Sequence, residues 1–447
     1  MHLHISLAPT SALGLLGCAV CCGCWRGPPD QPPLLLVVSG DTAGWIVPCG
    51  CASNQSGGLL RRGTYVQQLR AEAEVIVADV GGSPGGTSLY DQVKFEAILQ
   101  GELAMGIAAH NIGAAEALLG PECLRRLADD LHAPLVSANL RDGRGDAVAE
   151  PLRIVAAAGR RVALVGVLGR QYATDQLQAL PPRQAILDAL RAAAGRYDAV
   201  VVLAYLPEEE LQPLADTLPE ADVIVGGPTG QPIPPKPCGT RLLASATHQG
   251  KFLAQFQAPA GRSAQRWSGS IVELDGQFAD DPAQTANLGQ FYQRLATLDL
   301  TPGDTSFVTS LPSLRASYRI AGNAQCAKCH LDDDVAWRPS RHAHAWESLT
   351  QKGAQVDPNC QRCHATGYGM TGGFESLRRS AARVGVGCES CHGPSQAHCD
   401  NTKTSTAYRG QAKDHCRGCH DLENSPKFEY EEYWARIKHG ESPAVTP

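Results

Sequence analysis

Methionine is scarce in this 447-residue chain, which contains only Met1, Met105 and Met370. This scarcity excludes thioethers as a recurring metal ligand. The chain also lacks a long basic run and carries a formal net charge of −6, so nucleic acid is not an expected partner. No stretch after Pro28 is long and apolar enough to cross a bilayer. We therefore expect no transmembrane helix after the first residues.

The amino terminus resembles an export segment. Residues 12–20 form a short apolar stretch, although no Lys or Arg precedes Arg26. The sequence Leu15-Leu16-Gly17-Cys18 resembles a lipoprotein cleavage box with Cys18 as the lipidated residue; alternatively, Cys18 is an incidental residue of a removed peptide. We predict a signal or lipoprotein-type segment over residues 1–24 and a periplasmic or other extracytoplasmic location, with a lipid on Cys18 as an open alternative.

Cysteine and histidine are concentrated near the other end of the chain. Of 17 cysteines and 14 histidines, nine of each lie from Cys326 onward. A disulfide scaffold would explain the cysteines but not the accompanying histidines. Binding of metal or haem explains both residue types.

Four Cys-x-x-Cys-His motifs account for most of this cluster. Their cysteines are Cys326 and Cys329, Cys360 and Cys363, Cys388 and Cys391, and Cys416 and Cys419, and the histidines that follow are His330, His364, His392 and His420. Two thiols can add across the two vinyl groups of one haem, and the next imidazole can bind the iron. Zinc is the alternative, but it does not require a histidine directly after every second cysteine. The motifs predict four covalently attached c-type haems.

A second axial ligand for each iron must come from elsewhere in the chain. Met370 is the one methionine near a motif, so histidine is the expected ligand. The spare histidines of this region are His342, His344, His398, His415 and His439. Of these, His415 directly precedes Cys416 and is poorly placed to reach another iron.

The region from Tyr318 to Gly440 resembles the tetrahaem cytochrome c family that accepts electrons from hydroxylamine oxidation. The resemblance rests on the order and spacing of the motifs and on the segments 337–349, 385–398 and 434–439. It implies that His342, His398 and His439 are distal ligands, with His344 as the open alternative to His342, and that one haem is five-coordinate. Redox donor and acceptor proteins are then the expected partners.

The region before these motifs alternates between two kinds of pattern. Val- and Leu-rich runs at 34–38, 75–79, 134–140, 162–168, 199–206 and 221–226 predict buried strands, and 66–74, 91–101, 183–194 and 208–218 predict helices. Later strands near 241–246, 251–257 and 269–275 are expected to be antiparallel. Residues 277–320 predict a helix near 285–298 and a connection that acts as a hinge. We therefore expect a layered α/β domain over 33–276 and a mostly helical or irregular cytochrome domain over 321–447.

Residues 34–275 resemble the metallophosphoesterase domain of secreted 5′-nucleotidases. The matching segments are 35–44, 57–62, 134–139 and 222–227, and the resemblance implies a four-layer αββα fold. The family binds two metal ions through Asp, Asn and His at strand ends. Here the corresponding elements read Asp41-Thr42-Ala43, Asp79-Val80-Gly81-Gly82, Gly113-Ala114-Ala115-Glu116, Ala204-Tyr205 and Gly226-Gly227-Pro228-Thr229-Gly230. Most metal ligands are missing, so hydrolytic activity is not expected.

Two further features of this domain remain open at the level of sequence. Cys49-Gly50-Cys51 follows the opening strand and is either a redox dithiol, a metal site or docking element, or a pair of structural cysteines bridged to Cys123 or Cys238. His110 is interpreted as a solitary core or surface residue.

The leading hypothesis is an electron carrier with a catalytically inactive phosphoesterase-like domain that binds or docks a partner. The alternative is a multihaem redox enzyme with one five-coordinate haem, such as a nitrogen or sulfur oxyanion reductase or a hydroxylamine-type oxidoreductase. A third hypothesis is a metal-dependent phosphoesterase or nucleotidase.

Overall fold

The computed structural model describes residues 32–48, 55–259, 267–307, 318–408 and 415–440. The predicted export segment with Cys18 and the Cys49-Gly50-Cys51 motif lie outside these described residues. A layered α/β region precedes a region of short helices and turns that contains the four motifs.

Strands form at short runs of aliphatic residues, as the sequence predicts. The first strand is buried along its whole length, which is typical of a strand covered on both faces. In chain order the strands are β1 (Leu34–Ser39), β2 (Glu74–Asp79), β3 (Ile107–Asn111), β4 (Leu135–Val136), β5 (Leu140–Asp142), β6 (Leu152–Ala157), β7 (Arg160–Leu168), β8 (Leu177–Ala179), β9 (Ala199–Tyr205), β10 (Val223–Gly227), β11 (Ile233–Cys238), β12 (Arg241–Ser245), β13 (Phe252–Gln257) and β14 (Ser268–Glu273).

Among the described residues, these strands form two six-stranded mixed sheets and a small pair of β5 with β8. The first sheet has the order β14-β13-β1-β2-β3-β4, in which β1 to β4 are parallel and β13 and β14 are antiparallel. The second has the order β11-β12-β10-β9-β7-β6, with antiparallel edge strands around a parallel centre. Contacts of β3 with β7 and β9 join the two sheets face to face.

Three features of the sheets differ from the sequence-based prediction. The single strand expected at 134–140 is interrupted, because the backbone between β4 and β5 bonds instead to Glu150 and Gly166. The strand β12 is antiparallel to β11 as expected, but it is parallel to β10. The strand β3 was not predicted, since its sequence IAAHN contains one β-branched residue.

Helices cover the outer faces of both sheets. They are α1 (Leu59–Arg70), α2 (Leu89–Ala104), α3 (Ala114–Ala117), α4 (Gly120–Leu131), α5 (Pro182–Ala192), α6 (Glu208–Thr217) and α7 (Pro282–Leu298). The helices α1 and α2 pack on the first sheet, and α5 and α6 pack on the second. The start of α2 is fixed by a capping box between Ser88 and Asp91. The predicted four-layer αββα arrangement is confirmed.

The helix predicted in the connection is present as α7, but it does not act as a free hinge. It packs on α1 and α2. The buried Gln284 side chain donates to Gly101 O at 2.9 Å, and the Asn287 side chain donates to Ala97 O at 2.8 Å. Because these bonds satisfy polar groups inside the interface, α7 belongs to the packing of the first domain.

The region from residue 318 onward has short helices and few buried apolar residues. Its helices are α8 (Asn323–Cys326), α9 (Leu331–Trp337), α10 (Ala345–Thr350), α11 (Pro358–His364), α12 (Leu377–Ser380), α13 (Cys388–His392), α14 (Gln396–Asp400) and α15 (Tyr430–Ala435). Its buried apolar cluster consists of Ala365, Tyr368 and Phe374. In the part of the chain that the structure describes, no helix combines the length and apolar character that a membrane span requires.

Candidate functional site

Each Cys-x-x-Cys-His motif adopts a helical turn. In the first and fourth motifs, the amide of the histidine bonds to the carbonyl of the first cysteine, at 2.9 Å for His330 and 2.8 Å for His420. The second motif ends α11, and the third motif forms α13. Residues three and four positions apart share one face of such a turn, so both sulfur atoms and the imidazole project to the same side.

The four motifs also lie close to one another. The thiols of Cys326 and Cys388 are hydrogen-bonded, which raises the pKa of Cys326 and lowers that of Cys388. The thiols of Cys363 and Cys419 are paired in the same way, with the pKa of Cys363 lowered. The pKa of Cys391 is raised to about 11, first by burial and then by the charge of Cys416. The first motif therefore adjoins the third, the second adjoins the fourth, and the third adjoins the fourth.

Three of the motif histidines face a second histidine from a distant part of the chain. The ring centroids are 6.1 Å apart for His330 and His398 and 6.1 Å apart for His420 and His342. For His392 and His439 the separation is 6.0 Å. An imidazole nitrogen binds a transition metal at about 2.0–2.1 Å, so two rings on opposite sides of one iron have centroids roughly 6 Å apart. All three pairs fit this geometry.

The orientation of several of these rings is fixed by a hydrogen bond at Nδ1. His364 Nδ1 lies 2.7 Å from Ala345 O, His398 Nδ1 lies 2.7 Å from Thr404 O, and His439 Nδ1 lies 2.9 Å from Ile437 O. A carbonyl acceptor requires that Nδ1 carry the proton, which leaves Nε2 as the basic nitrogen. Imidazoles that bind metals are commonly oriented by such bonds. The residues therefore fit axial binding of haem iron.

The remaining histidines have other surroundings. His344 is exposed, and its pKa is raised by a hydrogen bond to Glu347. His415 stacks on Tyr408 with ring centroids 3.8 Å apart. Among the described residues, His364 is the one motif histidine that has no second imidazole at the spacing of the three pairs.

The first domain carries a second region of interest, where the parallel strands end. Asp41 follows β1, Gly82 follows β2, Gly113 follows β3, and Tyr205 ends β9. Asp41 accepts a hydrogen bond from Thr247 at 3.0 Å, and burial raises the pKa of its carboxyl group. Asp41, Gly82 and Tyr205 stand at positions where the resemblance to metallophosphoesterases implies metal ligands, and Gly113 directly precedes two more such positions, Ala114 and Ala115.

The ring of Tyr205 fills the space between these strand ends. A Cβ atom on Gly82 would lie 2.8 Å from Cε2 of Tyr205, and a Cβ atom on Gly113 would lie 2.8 Å from Cδ2 of the same ring. Gly82 also has a φ of +82°, which disfavours any side chain. A carboxylate at position 82 and the Tyr205 ring therefore exclude each other sterically.

A buried ionic network lies beside this aromatic ring and was not predicted from the sequence. His110 Nδ1 lies 2.8 Å from Glu102, and Nε2 lies 3.2 Å from Glu116. The guanidinium of Arg62 lies 3.4 Å from Glu102 and 3.7 Å from Asp79. Each of these five side chains is at most 1% exposed. His110 is thus a core residue, as expected, but it is not solitary.

The network also bears on metal binding. Ligand atoms of Asp79, Glu102 and His110 lie within 4.8 Å of one another, close enough to surround a cation. Arg62 already contacts both carboxylates, and Glu116 accepts bonds from the amides of Gly82 and Ser83 at 2.9 and 2.8 Å. The positive side chains therefore compensate the buried carboxylates, as paired charges in a protein interior must.

The cysteines of the first domain that the structure describes are not bridged. Cys123 is half-buried and Cys238 is buried, and neither is bridged to another cysteine among the described residues. Their predicted pairing with Cys49 or Cys51 stays a prediction, because the latter two lie outside the described residues.

The C-terminal region is similar to known cytochromes. Residues 325–393 match the family described as "Cytochrome c554 and c-prime". This range contains the first three motifs, and the fourth motif follows it. Cytochrome c-554 from Nitrosomonas europaea is 32% identical over 82 residues, which correspond to 15% of this chain and 35% of that protein. The chain thus matches about a third of the curated relative's length.

The N-terminal region is similar to solved phosphoesterase structures. The 5′-nucleotidase precursor from Thermus thermophilus has a TM-score of 0.51 and 22% identity, over 60% of each chain. A sulfate thiohydrolase from the same species has a TM-score of 0.52 and 15% identity, over 61% of this chain and 62% of its own. A calcineurin-like phosphoesterase from Bacillus subtilis has a TM-score of 0.52 and 16% identity, over 59% of this chain and 98% of its own.

At these identities the structural likeness defines the fold of the N-terminal region, not its activity. The motif turns, the paired imidazoles and the sequence match together define the C-terminal region. The chain therefore combines a metallophosphoesterase-like fold with a C-terminal multihaem c-type cytochrome region that is similar to the cytochrome c554 family.

Proposed function

We propose that this protein is an extracytoplasmic electron-transfer cytochrome that carries four covalent haems in its C-terminal domain, residues 321–447. The observation that carries this proposal is the set of three imidazole pairs, each with ring centroids 6.0–6.1 Å apart. Each pair contains one motif histidine and one histidine that the family resemblance implies as a distal ligand. When bound, haem supplies a one-electron iron couple.

The ligand assignment follows from these pairs. The pairs that would hold the first, third and fourth haem irons are His330 with His398, His392 with His439, and His420 with His342. The eight motif cysteines hold the haems through thioether bonds, in which each S–H group adds across a vinyl double bond. His364 would hold the second haem iron without a partner imidazole, because none faces it among the described residues. Paired neutral imidazoles favour comparatively low reduction potentials.

The contacts between the motifs suggest an order for electron movement. The cysteine contacts join the first motif to the third, the third to the fourth, and the fourth to the second. Neighbouring attachment points bring the haem edges close together, so electrons can pass along the domain without large motions of the chain. The donor and acceptor proteins then dock at opposite ends of this series.

We further propose that the N-terminal domain, residues 33–276, no longer hydrolyses phosphate esters. Tyr205 and Gly82 stand where the family has metal ligands, and the Tyr205 ring lies against Gly82 and against Gly113, which directly precedes two more lost ligand positions at Ala114 and Ala115. Arg62 and His110 neutralise the buried carboxylates nearby. Two-metal hydrolysis requires two bound cations to activate water. Asp41 is the one family metal ligand that remains, and its single carboxylate cannot hold two cations.

A redox enzyme is the second candidate function, and His364 is the observation that favours it. An iron bound by His364 alone leaves one axial position available to a small molecule, which the three paired sites do not. Turnover of nitrite or hydroxylamine would support this candidate over a pure electron carrier, provided that cyanide abolishes the turnover at the concentration at which it converts the high-spin signal to low spin.

The test is purification of the full chain from a host that attaches haem to proteins. We expect a mass increase of four haems, a matching pyridine haemochrome stoichiometry, and electron paramagnetic resonance signals of three low-spin centres and one high-spin centre. With added manganese and a nucleotide, we expect no phosphate release. Eight alkylatable motif thiols and no covalent haem would contradict the electron-transfer proposal, and manganese-dependent hydrolysis would contradict the proposed inactivity.

A further inference from the structure

The N-terminal domain and the segment of the second motif share a buried contact surface. Val356, which directly precedes the N-cap residue of α11, packs against the core of the first domain. Phe307, at the end of the connection after α7, packs against both that core and the small cluster around Phe374. The apolar interior is therefore continuous from the first domain to the second motif.

A buried hydrogen bond crosses this surface at Tyr90. The phenol of Tyr90 donates to Asp357 Oδ1 at 2.8 Å, and the two residues are 2% and 6% exposed. Asp357 is the N-cap of α11, because the same oxygen accepts from the Asn359 amide at 2.9 Å. Lys94 Nζ donates to the phenol oxygen at 2.9 Å, which strengthens the phenol as a donor.

Aromatic packing supports the same contact from the side. The Tyr90 ring lies 5.4 Å from that of Phe307 and 6.5 Å from that of Phe291 in α7. The guanidinium of Arg362 lies 5.0 Å above the Phe307 ring, and Arg362 stands between the two cysteines of the second motif. Both the start of α11 and the motif within it are thus held by residues outside the cytochrome domain.

Of the four motifs, the second has the fewest ligands from elsewhere in the chain, so contacts that place its helix α11 matter most for its haem site. At the three paired sites, histidines from two distant segments would hold the iron. At His364, the imidazole is placed by α11 and by the bond of its Nδ1 to Ala345 O at 2.7 Å, and no second imidazole faces it among the described residues. An error in the placement of this helix is therefore not corrected by a second ligand.

We propose that the N-terminal domain serves as the scaffold of the second haem site, with Tyr90 as a positioning residue that acts through Asp357 and α11. This inference rests on the proposed four-haem function. It assigns the phosphoesterase-like domain a role that needs no hydrolysis: holding the single-histidine iron in a defined geometry.

The test compares Tyr90→Phe with Tyr65→Phe in the full-length haem-loaded protein. Both changes remove a phenol hydrogen bond of a first-domain tyrosine, but the bond of Tyr90 crosses to Asp357, whereas Tyr65 bonds to Gln255 inside the first domain. We expect Tyr90→Phe to keep four haems and unchanged low-spin signals. Its high-spin signal should broaden, and the midpoint of that centre in a redox titration should shift. Tyr65→Phe should leave all four centres unchanged.

Two outcomes would overturn the inference: a high-spin centre in Tyr90→Phe identical to the wild type, or equal effects of the two variants on all centres. If Tyr90→Phe does not fold, Asp357→Ser is the second variant, because serine still caps the helix but its shorter side chain no longer accepts from Tyr90. It should shift the midpoint of the high-spin centre alone, and an unchanged midpoint would count against the inference. Failure of the proposed function is recognised separately, by a wild-type protein that lacks the four haems or the high-spin signal.

Discussion

Two histidines that stand two positions apart have opposite surroundings. His342 is half-buried, its ring centroid lies 6.1 Å from that of His420, and burial lowers its pKa. His344 is 53% exposed on its side chain and pairs with Glu347. A lowered pKa keeps the imidazole of His342 neutral and able to bind a metal at neutral pH. The sequence left open which of the two is a ligand, and this geometry favours His342.

Replacing these histidines one at a time provides the matched comparison at the residue scale. We expect His342→Ala to retain all four haems, since the thioether bonds are untouched, and to convert one low-spin centre to high spin. His344→Ala should leave the spectrum unchanged. Electron paramagnetic resonance at low temperature counts the centres of each kind. A new high-spin signal in His344→Ala but not in His342→Ala would reverse the assignment.

At the scale of elements, the buried ionic network joins five pieces of the first domain. Arg62 comes from α1, Asp79 from the end of β2, Glu102 from α2, His110 from β3 and Glu116 from α3. Burial opposes protonation of His110, but the carboxylates of Glu102 and Glu116 outweigh it and hold the pKa well above the usual 6.5. Burial also raises the pKa of Glu102. The folded protein therefore binds protons that the unfolded chain releases.

This proton uptake predicts how stability depends on pH. The contribution of His110 is complete below about pH 6.5, the pKa of the unfolded chain, and is lost as the pH rises through the raised pKa of the folded state. His110→Gln should lower the free energy of unfolding at pH 6 by about 3–5 kcal/mol, because it leaves buried carboxylates unpaired. Its stability should then fall less steeply above pH 6.5 than that of the wild type.

The measurement is urea unfolding of the full-length protein at a series of pH values. His132→Gln is the control, because His132 is exposed at the end of α4. The control should follow the wild-type curve. Parallel curves for His110→Gln and the wild type would show that His110 does not carry the proton in the folded state.

At the scale of the whole molecule, the two regions differ in how their interiors are filled. The first domain has extensive apolar clusters between and outside its sheets. In the described part of the C-terminal region, the buried apolar cluster consists of Ala365, Tyr368 and Phe374. Such a small core does not offset the conformational entropy of ordering this many residues. The porphyrins must therefore supply most of the apolar contacts of this region.

Limited proteolysis of the full chain with and without haem tests this difference. In the chain made without haem attachment, trypsin should degrade the region after α7 and leave the first domain intact. The haem-loaded protein should resist cleavage in both regions. Fragments are identified by mass spectrometry after equal digestion times. Equal persistence of the C-terminal region in the two preparations would show that it folds without haem.

Sequence patterns predicted most of the layered fold. Strands such as β1 and β9 and helices such as α5 and α6 were expected close to their observed positions, because local runs of Val and Leu or helical periodicity specify them. The strand β3 was missed because IAAHN lacks such a run. The parallel pairing of β12 with β10 was missed as well, since strand direction depends on the path of the chain between the strands.

The sequence by itself indicated the type of cofactor and predicts its attachment residues, because a Cys-x-x-Cys-His turn places its reactive atoms within one local segment. Tertiary structure alone decided which distant histidine faces which motif, that His364 has no facing imidazole among the described residues, and that Tyr205 fills the strand ends beside Gly82. It also assembled Arg62 and His110 with three carboxylates in one network. These contacts join residues far apart in the chain, so they depend on how whole elements pack and not on any local pattern.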